Sequence, residues 1–372
     1  MLKQYKIRNY NFRLVIYVVA LTIIGIMVIG SAKESVQNKQ ILGLFLGLVA
    51  MVFVSLMDYS FILRFSWLIY AFNIILLVLV KIIGDDAGGA TRWIEIAGIR
   101  FQPSELSKII IILFFAYFFM KNQENLNTPK ILVLSFLLAG VPLILIKEQP
   151  DLSTTIVTAL IFLALLFIAG LSYKIVLSVL VVSVPAAIIF ISLIMQPDQK
   201  LLDGYQYKRI MAWLEPEKYA DAAYQQLNSK MAIGSGQLWG KGLNNSQITS
   251  VKNGNFIAEP QTDFIFAVVG EELGFVGASV VILLLLLIVM ECILVARKAK
   301  DMAGRLIACG LAALVGFQGF VNICVATGLM PNTGLPLPFV SYGLTSLVTL
   351  YLGIGFVLNV GLQPRKYGMG DI

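Results

Sequence analysis

The chain has 372 residues, of which 58% are hydrophobic and 13% are charged, with a mean hydropathy of +0.85 and a formal net charge of +7. This composition excludes a soluble globular protein, because too few polar residues remain to cover the surface of a chain of this length. The absence of histidine excludes His general bases, His metal ligands and His pH switches, and the three cysteines, all inside apolar runs, give neither a disulfide framework nor metal-ligand spacing.

Ten apolar runs are long enough to cross a bilayer, since a spanning helix needs about twenty apolar residues. They cover residues 13–31, 40–57, 61–83, 104–120, 129–147, 152–170, 172–195, 264–296, 304–328 and 340–362. The eighth run is long enough to tilt or to project beyond the bilayer. The sequence therefore predicts an all-α polytopic integral membrane protein with about ten transmembrane helices. No linker divides it, so residues 1–372 are expected to form a single membrane domain.

Lysine and arginine are distributed unevenly between the connections. With a cytoplasmic N-terminus, the inside segments hold fourteen of them and the short outside connections hold four, Lys33, Lys39, Arg92 and Arg100. Because short cytoplasmic connections carry an excess of basic residues, this bias predicts that both termini are cytoplasmic. Residues 196–262 then form one large extracytoplasmic loop.

The second outside connection, residues 85–101, is too polar to span the membrane and too apolar to be a free loop. Its large apolar side chains, including Trp93 and Phe101, indicate a segment that lies at the membrane surface.

Charged residues follow directly in the fourth span. The helix is predicted to start near Gln102 or Pro103, with Glu105 in its first turn and Lys108 three residues later on the same face. One interpretation is a local i,i+3 ion pair near the interface. The other is a charged cavity lining, which the surrounding isoleucines favour because charge inside a span needs a reason.

Two further polar connections are predicted outside. Residues 148–151 form a tight turn, in which Pro150 and Asp151 suit turn geometry. Residues 328–339 contain three prolines and two glycines. Such irregular backbone at membrane depth is tolerated where protein buries it or a wet cavity faces it.

Asp263 stands where the polar 196–262 segment gives way to an apolar run. A carboxylate at the start of a span costs free energy unless it is paired with another group or serves a function. Helix capping is an alternative, because Thr262-Asp263 is favourable capping sequence.

The predicted topology gathers a set of polar residues on the outer face: Arg92, Trp93, Arg100, Gln102, Glu105, Lys108, Asp151, Arg209, Lys241 and Asp263. Cations beside a carboxylate in a membrane cavity suit an anionic lipid-linked substrate, since Arg and Lys would clamp a diphosphate. The carboxylate would accept a proton from an attacking hydroxyl. A transporter with an outer gate would present similar residues.

Several sequence blocks, in order along nearly the whole chain, resemble the SEDS family of cell shape, division and sporulation proteins. The blocks are residues 102–108 (QPSELSK), 149–152 (QPDL), 232–236 (AIGSG) with 240–242 (GKG), 259–267 (EPQTDFIFA), 270–274 (GEELG) and 334–343 (GLPLPFVSYG). Residues 149–152 and the GSG…GKG block are closer to the RodA-like branch, whereas residues 242–246 lean towards the FtsW and SpoVE branches.

The resemblance implies a peptidoglycan glycosyltransferase with ten spans that polymerises lipid II at the outer face of the bacterial inner membrane. It implies a class B penicillin-binding protein, a transpeptidase, as partner. The family's essential acidic residue matches Asp263, its Arg-Trp pair matches Arg92 and Trp93, and its Arg-x-Gln-Pro-x-Glu-x-x-Lys element matches residues 100–108. A lipid-linked precursor flippase and a non-catalytic scaffold for a transpeptidase remain alternatives.

Some positions depart from the family pattern. Gln261 replaces a histidine, Leu344 replaces a glycine, and residues 244–258 are irregular. The sequence predicts no cofactor. A divalent cation, Mg²⁺ or Mn²⁺, would help the reaction, but no ligand cluster predicts one.

Overall fold

The computed structural model describes residues 9–87, 90–96, 99–178, 181, 185, 192, 204–244 and 256–363. The helices in chain order are α1 (Phe12–Ala32), α2 (Glu34–Leu56), α3 (Tyr59–Leu63), α4 (Ser66–Ile83), α5 (Pro103–Lys121), α6 (Pro129–Lys147), α7 (Leu152–Ile168), α8 (Gly204–Leu214), α9 (Ala220–Ser235), α10 (Ile265–Arg297), α11 (Met302–Ala326) and α12 (Leu344–Leu362). Three short strands, β1 (Asp85–Ala87), β2 (Ala90–Ile96) and β3 (Ile99–Phe101), lie between α4 and α5.

Eight of these helices are long and apolar enough to cross a membrane: α1, α2, α4, α5, α6, α10, α11 and α12. Helix α7 is also apolar and has 17 residues, which is at the short end of the spanning range. The predicted seventh span, residues 172–195, lies largely outside the described residues, although residues 173–178 are helical. The prediction of a helical, multi-pass membrane protein is confirmed.

The segment predicted to lie at the membrane surface, residues 85–101, contains three strands, a local exception to the expected all-α fold. β1 pairs with β2 and β2 pairs with β3, both antiparallel, with Ile94 opposite Phe101 and Glu95 opposite Arg100. Aromatic and β-branched residues favour strands, and the sequence places glycines at positions 88, 89 and 98, between them. The two hairpins mark one end of the helix bundle, called the hairpin end below.

Helix α5 is the central helix of the bundle. In its most apolar stretch 83% of residues are buried, against 22% in α6. Four successive isoleucines, residues 109–112, are all buried, so α5 is covered on every side rather than on one face. Its first turns, which carry Glu105 and Lys108, are therefore largely enclosed by protein.

The eighth predicted span is kinked. Gly274 has φ of 65° inside α10, a conformation that L side chains rarely adopt. The segment before the kink is supported by a loop, in which the Lys241 N–H donates to the Glu271 carbonyl over 2.9 Å. A Cβ at Gly240 would collide with the Glu272 carbonyl. The loop of residues 240–242 therefore packs against α10 just before its break and supports the helix there.

Candidate functional site

A cavity of about 630 Å³ opens at the hairpin end, between the hairpins, the first turns of α2, α5 and α12, and the segment before α10. We call it the main cavity. Seven of the ten residues predicted from the sequence line it: Arg92, Trp93, Arg100, Gln102, Glu105, Asp151 and Asp263. The other three, Lys108, Arg209 and Lys241, are not among its lining residues.

Asp263 lies in the cavity wall, two residues before α10, and is partly buried. α10 starts after Phe264, and no side-chain hydrogen bond caps it, so the capping alternative gains no support. A Cβ added to Gly334 would lie 3.3 Å from the Asp263 Oδ2 atom and 3.8 Å from the Arg209 Nη1 atom. Because Gly334 has no side chain, the backbone of the 328–339 segment can approach both the Asp263 carboxylate and the Arg209 guanidinium.

The surroundings of Asp263 raise the pKa of its carboxyl from 3.8 to about 6. Burial is the largest cause, because it disfavours the charged form, and Asp151 and Glu259 raise the pKa further. Arg209 and Arg92 act in the opposite direction. A carboxyl group with this pKa is ionised at neutral pH and is a stronger base than an exposed aspartate.

Side chains from α11 and from the segment before α12 hold the backbone around Asp263 in place. Asn322 Nδ2 donates to the carbonyls of Asp263 and Leu335 at 2.8 and 2.6 Å. Ser341 Oγ donates to the Thr262 carbonyl at 2.7 Å. Two surroundings are expected for the irregular 328–339 segment, burial in protein or the wall of a cavity, and its Gly334 and Pro336 line the main cavity.

Asp151 has a structural and a cavity role. Its Oδ1 accepts from the Thr154 N–H at 3.1 Å, which caps α7, and its Oδ2 accepts from Gln102 Nε2 at 3.2 Å. Arg92 Nε donates to the Gln149 carbonyl at 3.0 Å. Asp151 therefore serves the turn before α7, as the sequence indicates, and also lines the cavity.

Glu105 and Lys108 form a buried ion pair, with 2.6 Å between Glu105 Oε1 and Lys108 Nζ and side chains that are 3% and 1% exposed. Lys108 also donates to Gln318 Oε1 at 2.7 Å, and Gln318 Nε2 donates to the Pro336 carbonyl at 2.9 Å. Ser346 Oγ donates to Glu105 Oε2 at 2.7 Å. Both sequence interpretations hold for Glu105, which is paired and lines the cavity. Lys108 is buried behind it.

The remaining two predicted cations occupy different surroundings. Lys241 Nζ lies 2.8 Å from Glu271 Oε1, beside the kink in α10. Arg209 donates to the Asn332 carbonyl at 3.3 Å and lies close enough to Asp263 to lower its pKa. Arg209 is thus part of the electrostatic environment of the site, whereas Lys241 holds the loop of residues 240–242 against α10.

Sequence reasoning missed several lining residues. They are Lys33, Lys39, Glu95, Glu259, Tyr342 and Ser346. Both lysines fall in the outside connection predicted for residues 32–39, where basic residues are depleted, and this could have singled them out. Two positions that depart from the family pattern, Gln261 and Leu344, also line the cavity, whereas most of the irregular 244–258 segment lies outside the described residues.

No group of three or more Cys, Asp or Glu side chains within the described ranges could hold a metal ion.

A family model described as "cell cycle protein", of the FtsW, RodA and SpoVE proteins, matches residues 9–366. A probable peptidoglycan glycosyltransferase FtsW from Geobacter sulfurreducens is 34% identical over 97% of this chain and 97% of its own. The peptidoglycan glycosyltransferase MrdB of Escherichia coli is 36% identical over 93% of this chain and 92% of its own.

Solved structures agree. A chain from a peptidoglycan synthase complex, described as coordinating polymerization and crosslinking, superposes with a TM-score of 0.76 at 28% identity, over 95% of this chain and 97% of its own. The rod shape determining protein RodA of Thermus thermophilus superposes with a TM-score of 0.69 at 26% identity, over 96% of this chain and 98% of its own. This chain is a member of the FtsW/RodA/SpoVE family of multi-pass membrane proteins.

Proposed function

We propose that this protein is a peptidoglycan glycosyltransferase that polymerises lipid II at the outer face of the bacterial cytoplasmic membrane. The observation that carries the proposal is the position of Asp263, a partly buried carboxylate with a raised pKa in the wall of a cavity that also holds Arg92 and Arg100. The relatives, one named a probable peptidoglycan glycosyltransferase and the other a peptidoglycan glycosyltransferase, support the same reaction.

In the proposed reaction the 4-hydroxyl of an acceptor sugar attacks the anomeric carbon of a donor sugar. The bond from that carbon to undecaprenyl diphosphate breaks, and the diphosphate leaves with the electron pair. Asp263 accepts the hydroxyl proton as general base. Cations of the cavity, Arg100 among them, stabilise the charge on the leaving group. Trp93, Gln102, Glu105 and Asp151 shape the cavity around the two sugars.

The assay that tests this function uses purified protein with labelled lipid II, alone and with its partner transpeptidase. Glycan chains are the expected product. Translocation of lipid II in vesicles without chain formation would identify a flippase, and neither activity would identify a scaffold. We propose a class B penicillin-binding protein as the partner, which agrees with a structural relative that belongs to a synthase complex.

The raised pKa of Asp263 predicts the pH dependence of polymerisation. A general base must be unprotonated, so kcat/KM is expected to be level above pH about 6 and to fall about tenfold per pH unit below it. Arg209→Gln removes a cation that lowers this pKa, so its acid limb is expected at higher pH. Initial rates from pH 4.5 to 8 measure both profiles. Lys218→Gln, which removes an exposed lysine paired with Glu215, is the control, and an acid limb near pH 4 in the wild type would contradict the assignment.

We propose that both termini are cytoplasmic and that the 196–262 segment is extracytoplasmic, as the charge bias predicts. In a cysteine-free background, Glu217→Cys is expected to react with an impermeant thiol reagent in intact spheroplasts. Lys298→Cys, which is also at an exposed position, next to the C-terminal end of α10, is expected to react only after lysis. The reverse labelling pattern would overturn the orientation and the outer-leaflet substrate with it.

A further inference from the structure

Every basic residue in the short connections predicted to be outside lines the main cavity. These connections hold four, Lys33, Lys39, Arg92 and Arg100, and all four are lining residues. Basic residues in short connections are biased towards the cytoplasmic side, so the orientation rule does not account for them. Their convergence on one cavity suits an anionic ligand.

Three of the four have charge available for a ligand. Arg92 is engaged by the carbonyls of Gln149 and Pro150. Lys33, Lys39 and Arg100 are exposed, and none of their side chains makes a hydrogen bond or ion pair with another part of the chain that the structure describes.

Five carboxylates also line this cavity: Glu95, Glu105, Asp151, Glu259 and Asp263. Glu105 is paired with Lys108, and Asp151 accepts hydrogen bonds from Gln102 and from a backbone N–H. Glu95 faces Arg100 across the β2–β3 ladder. The two lysines, which come from a different element, are not opposed by a partner of this kind.

Lys39 also marks where the cavity meets the lipid-facing surface. Leu42, one turn further along α2, lines the cavity and is 46% exposed. Phe45, Val49 and Phe53 continue from it on the same face, all exposed. In a membrane protein such a stripe faces hydrocarbon. A ligand bound at the lysines would therefore place a charged group in the cavity and its own hydrocarbon chain in the membrane.

We propose that Lys33 and Lys39 bind the diphosphate of the polyprenyl-linked donor, together with Arg100. The inference rests on the proposed function and extends it to Lys33, between α1 and α2, and to Lys39 on α2. An ammonium group is a point charge that can contact either phosphate, and it would hold the leaving group while the bond to the sugar breaks. The lysines are binding residues, and the proton transfer stays with Asp263.

The test compares Lys33→Gln/Lys39→Gln with Lys218→Gln/Lys230→Gln, which removes two exposed lysines outside the cavity. Each purified full-length protein in nanodiscs is titrated with undecaprenyl diphosphate and with undecaprenol, which has no phosphate. For the diphosphate, the cavity variant is expected to bind at least about tenfold more weakly than wild type. Binding of undecaprenol and all binding by the control variant are expected to be unchanged. The wild-type affinity is expected to fall more steeply with salt than that of the cavity variant.

The outcomes separate this inference from the proposed function. Equal diphosphate affinity of the cavity variant and wild type overturns the role of the lysines, even if the wild type makes glycan chains. Equal losses for both lipids also overturn it, because they indicate a structural defect. A phosphate-dependent loss in a protein that never polymerises lipid II supports the lysine site and removes the glycosyltransferase assignment alone.

Discussion

Replacing Asp263 with Asn is expected to lower the rate of lipid II polymerisation by at least about a hundredfold, the usual contribution of a general base. Asn has nearly the same shape and still accepts a hydrogen bond, but it cannot accept a proton at neutral pH. Because Asn322 holds Asp263 through its backbone carbonyl, the substitution leaves the local backbone contacts intact. The measurement is the initial rate of glycan formation by purified protein.

Binding controls make this result specific. Asp263→Asn is expected to keep the thermal stability of the wild type, because it removes a partly buried carboxylate whose burial is unfavourable. It should also retain lipid II binding and partner binding. Near-normal polymerisation by a stable Asp263→Asn protein would refute the catalytic role.

Replacing Lys108 with Ala is expected to destabilise the protein by about 3–5 kcal/mol, since it leaves the buried Glu105 carboxylate without its partner. Both side chains are almost fully buried, so water compensates the lost cation only poorly, although Glu105 borders the main cavity. The measurement is thermal unfolding in detergent, followed by activity per folded molecule.

A matched pair and a rescue test this explanation. Lys81 forms an ion pair with Glu148 at 2.7 Å, but these side chains are 56% and 46% exposed, so Lys81→Ala is expected to cost less than about 1 kcal/mol. The double variant Glu105→Gln/Lys108→Met removes both charges and is expected to recover most of the stability. If Lys108→Ala were as stable as wild type yet failed to bind lipid II, Lys108 would instead contact the substrate.

The sequence identifies lining residues of the main cavity correctly where the order of the spans alone brings them to the same side of the membrane. Arg92, Arg100 and Asp151 lie on connections that a count of spans places on one side, and all three line the main cavity. The sequence could not show that Lys108 and Lys241 do not line this cavity. A basic residue near the end of a span has the same sequence pattern whether it faces a cavity or a buried carboxylate. Their partners, Glu105 and Glu271, decide the difference.

The sequence by itself determined the membrane class, nearly all spans and the place of Asp263 at the start of a span, because these depend on apolar length and local polarity. Its family was determined in the same way, by ordered sequence blocks. Only the tertiary structure decided that α5 is central, that the 85–101 segment forms hairpins and that α10 breaks at Gly274. Only it brought Lys33 and Lys39 to the cavity that holds Asp263. The physical reason is that lipid makes most spans apolar all round, so the sequence does not reveal which face of a helix meets protein, cavity or membrane.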